Sequence, residues 1–109
     1  ANSYSEKLQQ FESLLEKNYI KEKSPSQYAS WMNISPKHLN RITKSVLDKT
    51  ASEMISDRII LEAKRSVLHT KNNFSEVAFS LGYEDYAYFS KLFKKASGLT
   101  PTAFLKIYK

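Results

Sequence analysis

Two stretches of this sequence carry hydrogen-bond donors and cations at helical spacing. Lys37, Asn40, Arg41 and Lys44 form one set; Tyr86, Ala87, Ser90, Lys91, Lys94 and Lys95 form the other. Residues three and four apart share a face of an α-helix. The chemistry open to such faces is hydrogen bonding and charge pairing rather than bond making. The Asn40 amide matches the N6/N7 edge of adenine, and the Arg41 guanidinium matches the O6/N7 edge of guanine. Ala87 permits close approach, Ser90 bonds as donor or acceptor, and Lys91 reaches a guanine edge or a phosphate. Lys95 is expected on a phosphate, where a contact carries no base information. No acidic side chain lies between Glu22 and Asp48, so the first face has little internal neutralisation. The plain alternative for both faces is a solvated lysine surface.

Other chemistries have little to stand on. His38 and His69 are the only histidines, and neither has a partner set in the sequence. Catalysis is not expected, and no cofactor or metal is implied. Glu84 and Asp85 suit a helix start, where acids are favoured, better than a pair of catalytic carboxylates. The absence of cysteine excludes a disulfide framework and a cysteine zinc site, and agrees with a reducing cytoplasm. No apolar run approaches the roughly 20 residues that cross a bilayer, and no secretory segment is visible. Seventeen basic residues against 11 acidic ones leave a net charge of +6. That balance favours a polyanionic partner, nucleic acid ahead of an anionic membrane.

The elements that must position these faces are helices. Ser24-Pro25, Ser35-Pro36 and Thr100-Pro101 each place a hydroxyl residue before proline, the pattern of an N-cap and the first helical residue. Gly82 and Gly98 follow apolar-periodic segments, where a left-handed residue closes a helix. No stretch alternates as a strand does. The expected fold class is therefore all-α with about seven helices. They cover approximately 5–18, 25–32, 36–47, 51–69, 75–81 and 85–97, with the last starting at 101. Helix starts at Ser35 and Asp85 are expected to aim free N–H groups at phosphates.

The second and third helices resemble the fifth and sixth. With Ala29 set over Ala78, Met32 falls on Leu81, Asn33 on Gly82 and Ile34 on Tyr83. One extra residue in the later copy then sets Leu39 on Phe89, Arg41 on Lys91, Lys44 on Lys94 and Thr50 on Thr100. Asn33 and Gly82 both tolerate positive φ, so each closes a helix before a tight turn. Each copy reads as a helix-turn-helix unit ending in a basic helix. Leu39, Ile42, Val46 and Leu47 are expected to face inward in the first copy. Phe89, Leu92, Phe93 and Ala96 are expected inward in the second, against Val77, Ala78 and Leu81. The domain division is 1–50 for the first helix and first unit, 51–70 for a linker helix, and 71–109 for the second unit. The fourth helix, at 1.5 Å per residue, spans about 29 Å. Successive major grooves on one side of B-DNA lie about 34 Å apart, so one chain is expected to enter two of them.

At these residues the sequence resembles the DNA-binding domain of the AraC family of bacterial transcriptional regulators. The resemblance runs from about Tyr4 to Tyr108. Its most specific part is Val77-Ala78, Leu81-Gly82-Tyr83, Tyr88-Phe89-Ser90-Lys91, Phe93-Lys94-Lys95 and Gly98-Leu99-Thr100-Pro101 with Phe104. In the first unit, Ser35-Pro36-Lys37-His38-Leu39-Asn40-Arg41 and Ile59-Ile60-Leu61-Glu62-Ala63 belong to the same pattern. The resemblance implies two helix-turn-helix subdomains joined by a long helix. It also implies base readout from Lys37, Asn40 and Arg41, then from Tyr86, Ala87 and Lys91. Asn33 and Asp48 stand where the family often has glycine. Thr43 replaces a usual phenylalanine, Leu105 a usual arginine, and Lys91 a common arginine. Family members usually carry a sensing or dimerisation domain as well, so this chain is expected to be the C-terminal part of a longer regulator.

The expected partners are double-stranded DNA and RNA polymerase, with no membrane. The main rival is a basic helical module that binds an acidic protein surface such as that of RNA polymerase. Salt-dependent binding to duplex DNA separates the two readings. RNA is a weaker third candidate, because no aromatic platform on a sheet is available.

Overall fold

The computed structural model describes residues 3–109. They form seven helices: α1 (Ser3–Asn18), α2 (Pro25–Trp31), α3 (Pro36–Leu47), α4 (Ala51–His69), α5 (Phe74–Ser80), α6 (Tyr86–Ser97) and α7 (Pro101–Tyr108). No strand occurs among the described residues. The chain divides into two compact units, Ala1–Ile55 and Ser56–Lys109, with the boundary inside α4.

In the first unit, α1 packs on α2 and α3, and α2 packs on α3. Leu8, Phe11 and Leu15 supply the inward stripe of α1, at the spacing that one helix face dictates. Tyr28, Ala29, Met32, Leu39 and Ile42 complete that core. The Phe11 and Tyr28 rings meet edge to face, with centroids 5.4 Å apart at 82°. The Tyr28 hydroxyl donates to the Glu22 carbonyl at 2.8 Å, so its polar tip is satisfied. Thr43 is fully buried, with its hydroxyl donating to the Asn40 carbonyl at 3.2 Å. Each buried large apolar side chain contributes roughly 1.5–3 kcal/mol relative to exposure.

The second unit is built on four phenylalanines. Phe74 lies 4.9 Å from Phe93, 6.0 Å from Phe104 and 6.4 Å from Phe89, centroid to centroid. Val77, Ala78 and Leu81 line the same core. Helix α5 starts at Phe74, one residue before the sequence expectation, because Asn73 closes a capping box with Glu76. Asn73 Oδ1 accepts from the Glu76 N–H at 2.8 Å, and Glu76 Oε1 accepts from the Asn73 N–H at 2.9 Å. The end of α7 is tied to α4 by Lys109, whose Nζ donates to the Val67 carbonyl at 2.9 Å. Lys64 Nζ stands 5.9 Å from the centroid of the Phe104 ring.

Three sequence expectations are corrected. Val46 and Leu47 are exposed rather than inward, at 39% and 42%. They extend the α3 stripe past the point where α1 and α2 cover it. Ala96 is likewise exposed, and Leu92 is only half-buried. The Ser24 hydroxyl makes no capping bond, although Pro25 does open α2. Ser35 and Thr100 do cap: Ser35 Oγ accepts from His38 at 3.0 Å and Thr100 Oγ1 from Ala103 at 3.1 Å.

Candidate nucleic-acid interface

The turn that aims each basic helix is the same object twice. At the end of α2, Asn33 N–H donates to the Ser30 carbonyl and Ile34 N–H to the Ala29 carbonyl, both at 3.0 Å. At the end of α5, Gly82 N–H donates to Phe79 and Tyr83 N–H to Ala78, again both at 3.0 Å. The paired bonds define a Schellman closure, which needs a left-handed residue at its centre. Asn33 has φ 58° and Gly82 has φ 94°. The two repeats also end alike. Asp48 (φ 56°) and Gly98 (φ 84°) are left-handed, and their N–H groups bond the carbonyls of Lys44 and Lys94. The residue types that stand in for glycine thus adopt the glycine conformation.

These turns lead into α3 and α6 with their cores fixed. Leu39 and Ile42 anchor α3, and Phe89 and Phe93 anchor α6, all fully buried. The opposite faces are open. Lys37, Asn40, Arg41 and Lys44 of α3 are all exposed. Arg41 is partly oriented by His38, with Nη1 3.4 Å from His38 Nδ1. His38 in turn lies edge-on to Tyr4 of α1, with centroids 5.8 Å apart. On α6, Tyr86, Ala87, Lys91, Lys94 and Lys95 are exposed and Ser90 is half-exposed. The Tyr86 ring rests 6.1 Å from Phe89, and partial burial raises its phenol pKa. It therefore stays a neutral donor near neutral pH.

The helix starts differ from the sequence expectation. At α6 the Asp85 carboxylate accepts from the N–H groups of Ala87 and Tyr88, at 2.9 and 3.3 Å. At α3 the Ser35 hydroxyl takes the His38 N–H. Those groups are already satisfied, and Asp85 puts negative charge where a phosphate would lie. A second departure concerns Asn40, whose Oδ1 accepts from the Ala51 N–H at 2.9 Å. The link joins α3 to the start of α4.

Exposed aromatics were missed in the sequence. Phe79 is 74% exposed on α5 and Tyr88 is 59% exposed on α6. The signal for Phe79 was available: it falls outside the 74, 77, 78, 81 stripe that makes the α5 core. Tyr83 is half-buried, 6.0 Å from the Tyr88 ring, and its phenol pKa is pushed up to about 12 by burial and by Tyr88.

A family model described as a helix-turn-helix domain matches residues 28–107, and AraC-type domains of solved structure share the fold. The chain belongs to the AraC-type helix-turn-helix family. It is a DNA-binding domain of that family. Among AraC-type relatives, the bifunctional transcriptional activator/DNA repair enzyme AdaA of Bacillus subtilis is 28% identical over 95 residues. That match covers 87% of this chain and 45% of AdaA. The probable transcription factor PqrA of Proteus vulgaris is 32% identical over 79 residues, covering 72% of this chain and 60% of PqrA. The C-terminal domain of AraT, a response regulator from Geobacillus stearothermophilus, superposes with a TM-score of 0.81 at 25% identity. That superposition covers 91% of this chain and 83% of the AraT domain. The chain thus spans about half the length of these curated relatives.

Proposed function

We propose that α3 and α6 are paired recognition helices that enter successive major grooves of one duplex. One observation carries this reading: two units with the same turn hydrogen bonds each leave the basic face of their second helix open. Lys37, Arg41 and Lys44 would act from α3, with Asn40 beside them. Tyr86, Ala87, Ser90 and Lys91 would act from α6, with Lys94 and Lys95 on the backbone. Arg41 suits guanine, because its fork is planar and already oriented by His38. The 19 residues of α4 rise about 29 Å, close to the pitch of the duplex. A site read this way is asymmetric and needs no second copy of the chain.

The role is binding rather than catalysis, and its setting is the bacterial cytoplasm, where the DNA lies. No described helix is long and apolar enough to cross a membrane. The whole regulator is proposed to act beside RNA polymerase and to carry a sensing or dimerisation domain, which accords with the greater length of the relatives. A module that binds only an acidic protein is not favoured.

The test is a gel-shift series on a selected duplex. Arg41→Ala is expected to weaken the specific site by about 1–3 kcal/mol and to relax base preference in one groove. Lys95→Ala is expected to lower affinity equally on all sequences. A sequence-selective loss with Lys95→Ala, or none with Arg41→Ala, counts against the assignment.

A further inference from the structure

Asn40 belongs to two helices at once. Its Oδ1 accepts from the backbone N–H of Ala51, eleven residues away at the first position of α4. Because a backbone N–H can only donate, the amide oxygen must face Ala51 and the amide nitrogen must face away. Ala51 is wholly buried, and its N–H is one of the groups a helix start leaves without an internal partner. Thr50 and Glu53 form a capping box at that start, which takes the N–H groups of Thr50 and Glu53 and leaves that of Ala51 to Asn40. Asn40 is nevertheless exposed, and no described protein group engages its Nδ2.

The second unit shows the same corner without this bond. Under the repeat, Asn40 corresponds to Ser90 and Ala51 to Pro101. Pro101 is buried at the first position of α7 and has no N–H, so nothing there needs an acceptor. The asparagine is present where a donor must be satisfied and absent where proline has removed the donor.

We infer that Asn40 is a specificity-determining residue that reads its base as a donor only, because its acceptor is turned towards α4. Adenine presents an acceptor at N7 and a donor at N6, and recognition by asparagine uses both amide atoms. With Oδ1 turned towards Ala51, Nδ2 is the amide atom left facing outward, and it takes an acceptor: N7 of either purine, guanine O6 or thymine O4. This replaces the two-atom adenine N6/N7 pairing that the residue type alone implies, and it rests on α3 being a recognition helix.

The test is a stability cycle without DNA, joined to base selection at the position facing Asn40, all with the intact chain. Asn40→Ala is expected to raise the unfolding constant about fivefold, as for a typical lost hydrogen bond, and to flatten the preference at that base. Asn40→Asp keeps an acceptor for Ala51 but loses both donors. Its unfolding constant should stay near the parent value while the preference flattens. Ala51→Pro copies the second unit and removes the N–H. On that background Asn40→Ala should no longer change the unfolding constant, and the preference of the Asn40 chain should move to adenine. Equal destabilisation by Asn40→Asp and Asn40→Ala overturns the inference, and this comparison decides even if Ala51→Pro does not fold. An unmoved base preference in a folded Ala51→Pro chain overturns it as well. Failure to select any sequence overturns the groove reading beneath it, and the DNA-free cycle distinguishes that outcome.

Discussion

At the scale of single residues, the left-handed positions are where residue type and backbone strain meet. Gly98 has open space where a side-chain methyl would stand, so only its φ of +84° opposes a substitution. Gly98→Ala is therefore expected to cost about 1 kcal/mol, measured by urea unfolding. Asp48 occupies the same place in the first repeat at φ 56°. Asp48→Gly should stabilise by roughly 0.5–1 kcal/mol; the relief of φ exceeds the entropy that glycine adds to the unfolded chain. A second residue-scale prediction concerns alkaline pH. Burial, reinforced by Glu22, pushes the Tyr28 phenol up to about 12, and burial with Tyr88 does the same at Tyr83. A tyrosine in the unfolded chain ionises near pH 10. The folded form therefore keeps its proton longer, and that stability is complete below about pH 10 and lost as pH rises towards 12. Tyrosine absorbance during a pH titration should show these two phenols ionising late, together with unfolding. Tyr83→Phe should move the alkaline transition upward. Asn33 and Asp48 were legible as helix-closing residues because few side chains tolerate positive φ. The Asn40 acceptor was not, since its partner lies across a turn and only packing brings the two together.

At the scale of elements, helix type and order follow from proline, glycine and a 3.6-residue apolar period. The ends of the apolar stripes do not. Val46, Leu47 and Ala96 continue their patterns in the sequence but emerge into solvent, because a stripe is buried only as far as its neighbours extend. Phe74 illustrates the opposite error. The Asn73-x-x-Glu76 signature marks the start of α5 and so places Phe74 on its inner face. The ring then sits among Phe89, Phe93 and Phe104. Phe74→Ala is expected to cost about 3–5 kcal/mol. Against a domain stability of order 5–15 kcal/mol, that is a large share. Circular dichroism melting should show it as a drop of many degrees, whereas Phe79→Ala, on the exposed side of the same helix, should change the melt little. Equal effects of the two would contradict the assignment of the core face.

At the scale of the whole molecule, the repeat was readable from residue types alone, and the structure gives it as matching hydrogen bonds at Asn33 and Gly82, then at Asp48 and Gly98. The exposed cations on α3 and α6 make binding an ion-exchange process: phosphates neutralised by lysine and arginine release counterions. If about six phosphates are contacted, log K should fall against log salt with a slope near −5. The measurement that bears most directly on two grooves read by one chain is a footprint on a selected duplex, with the stoichiometry determined in the same solution. One chain per duplex is expected, protecting two unlike segments whose centres lie one helical turn, about 10–10.5 base pairs, apart. A single protected segment, or two identical ones that require two chains, would contradict it.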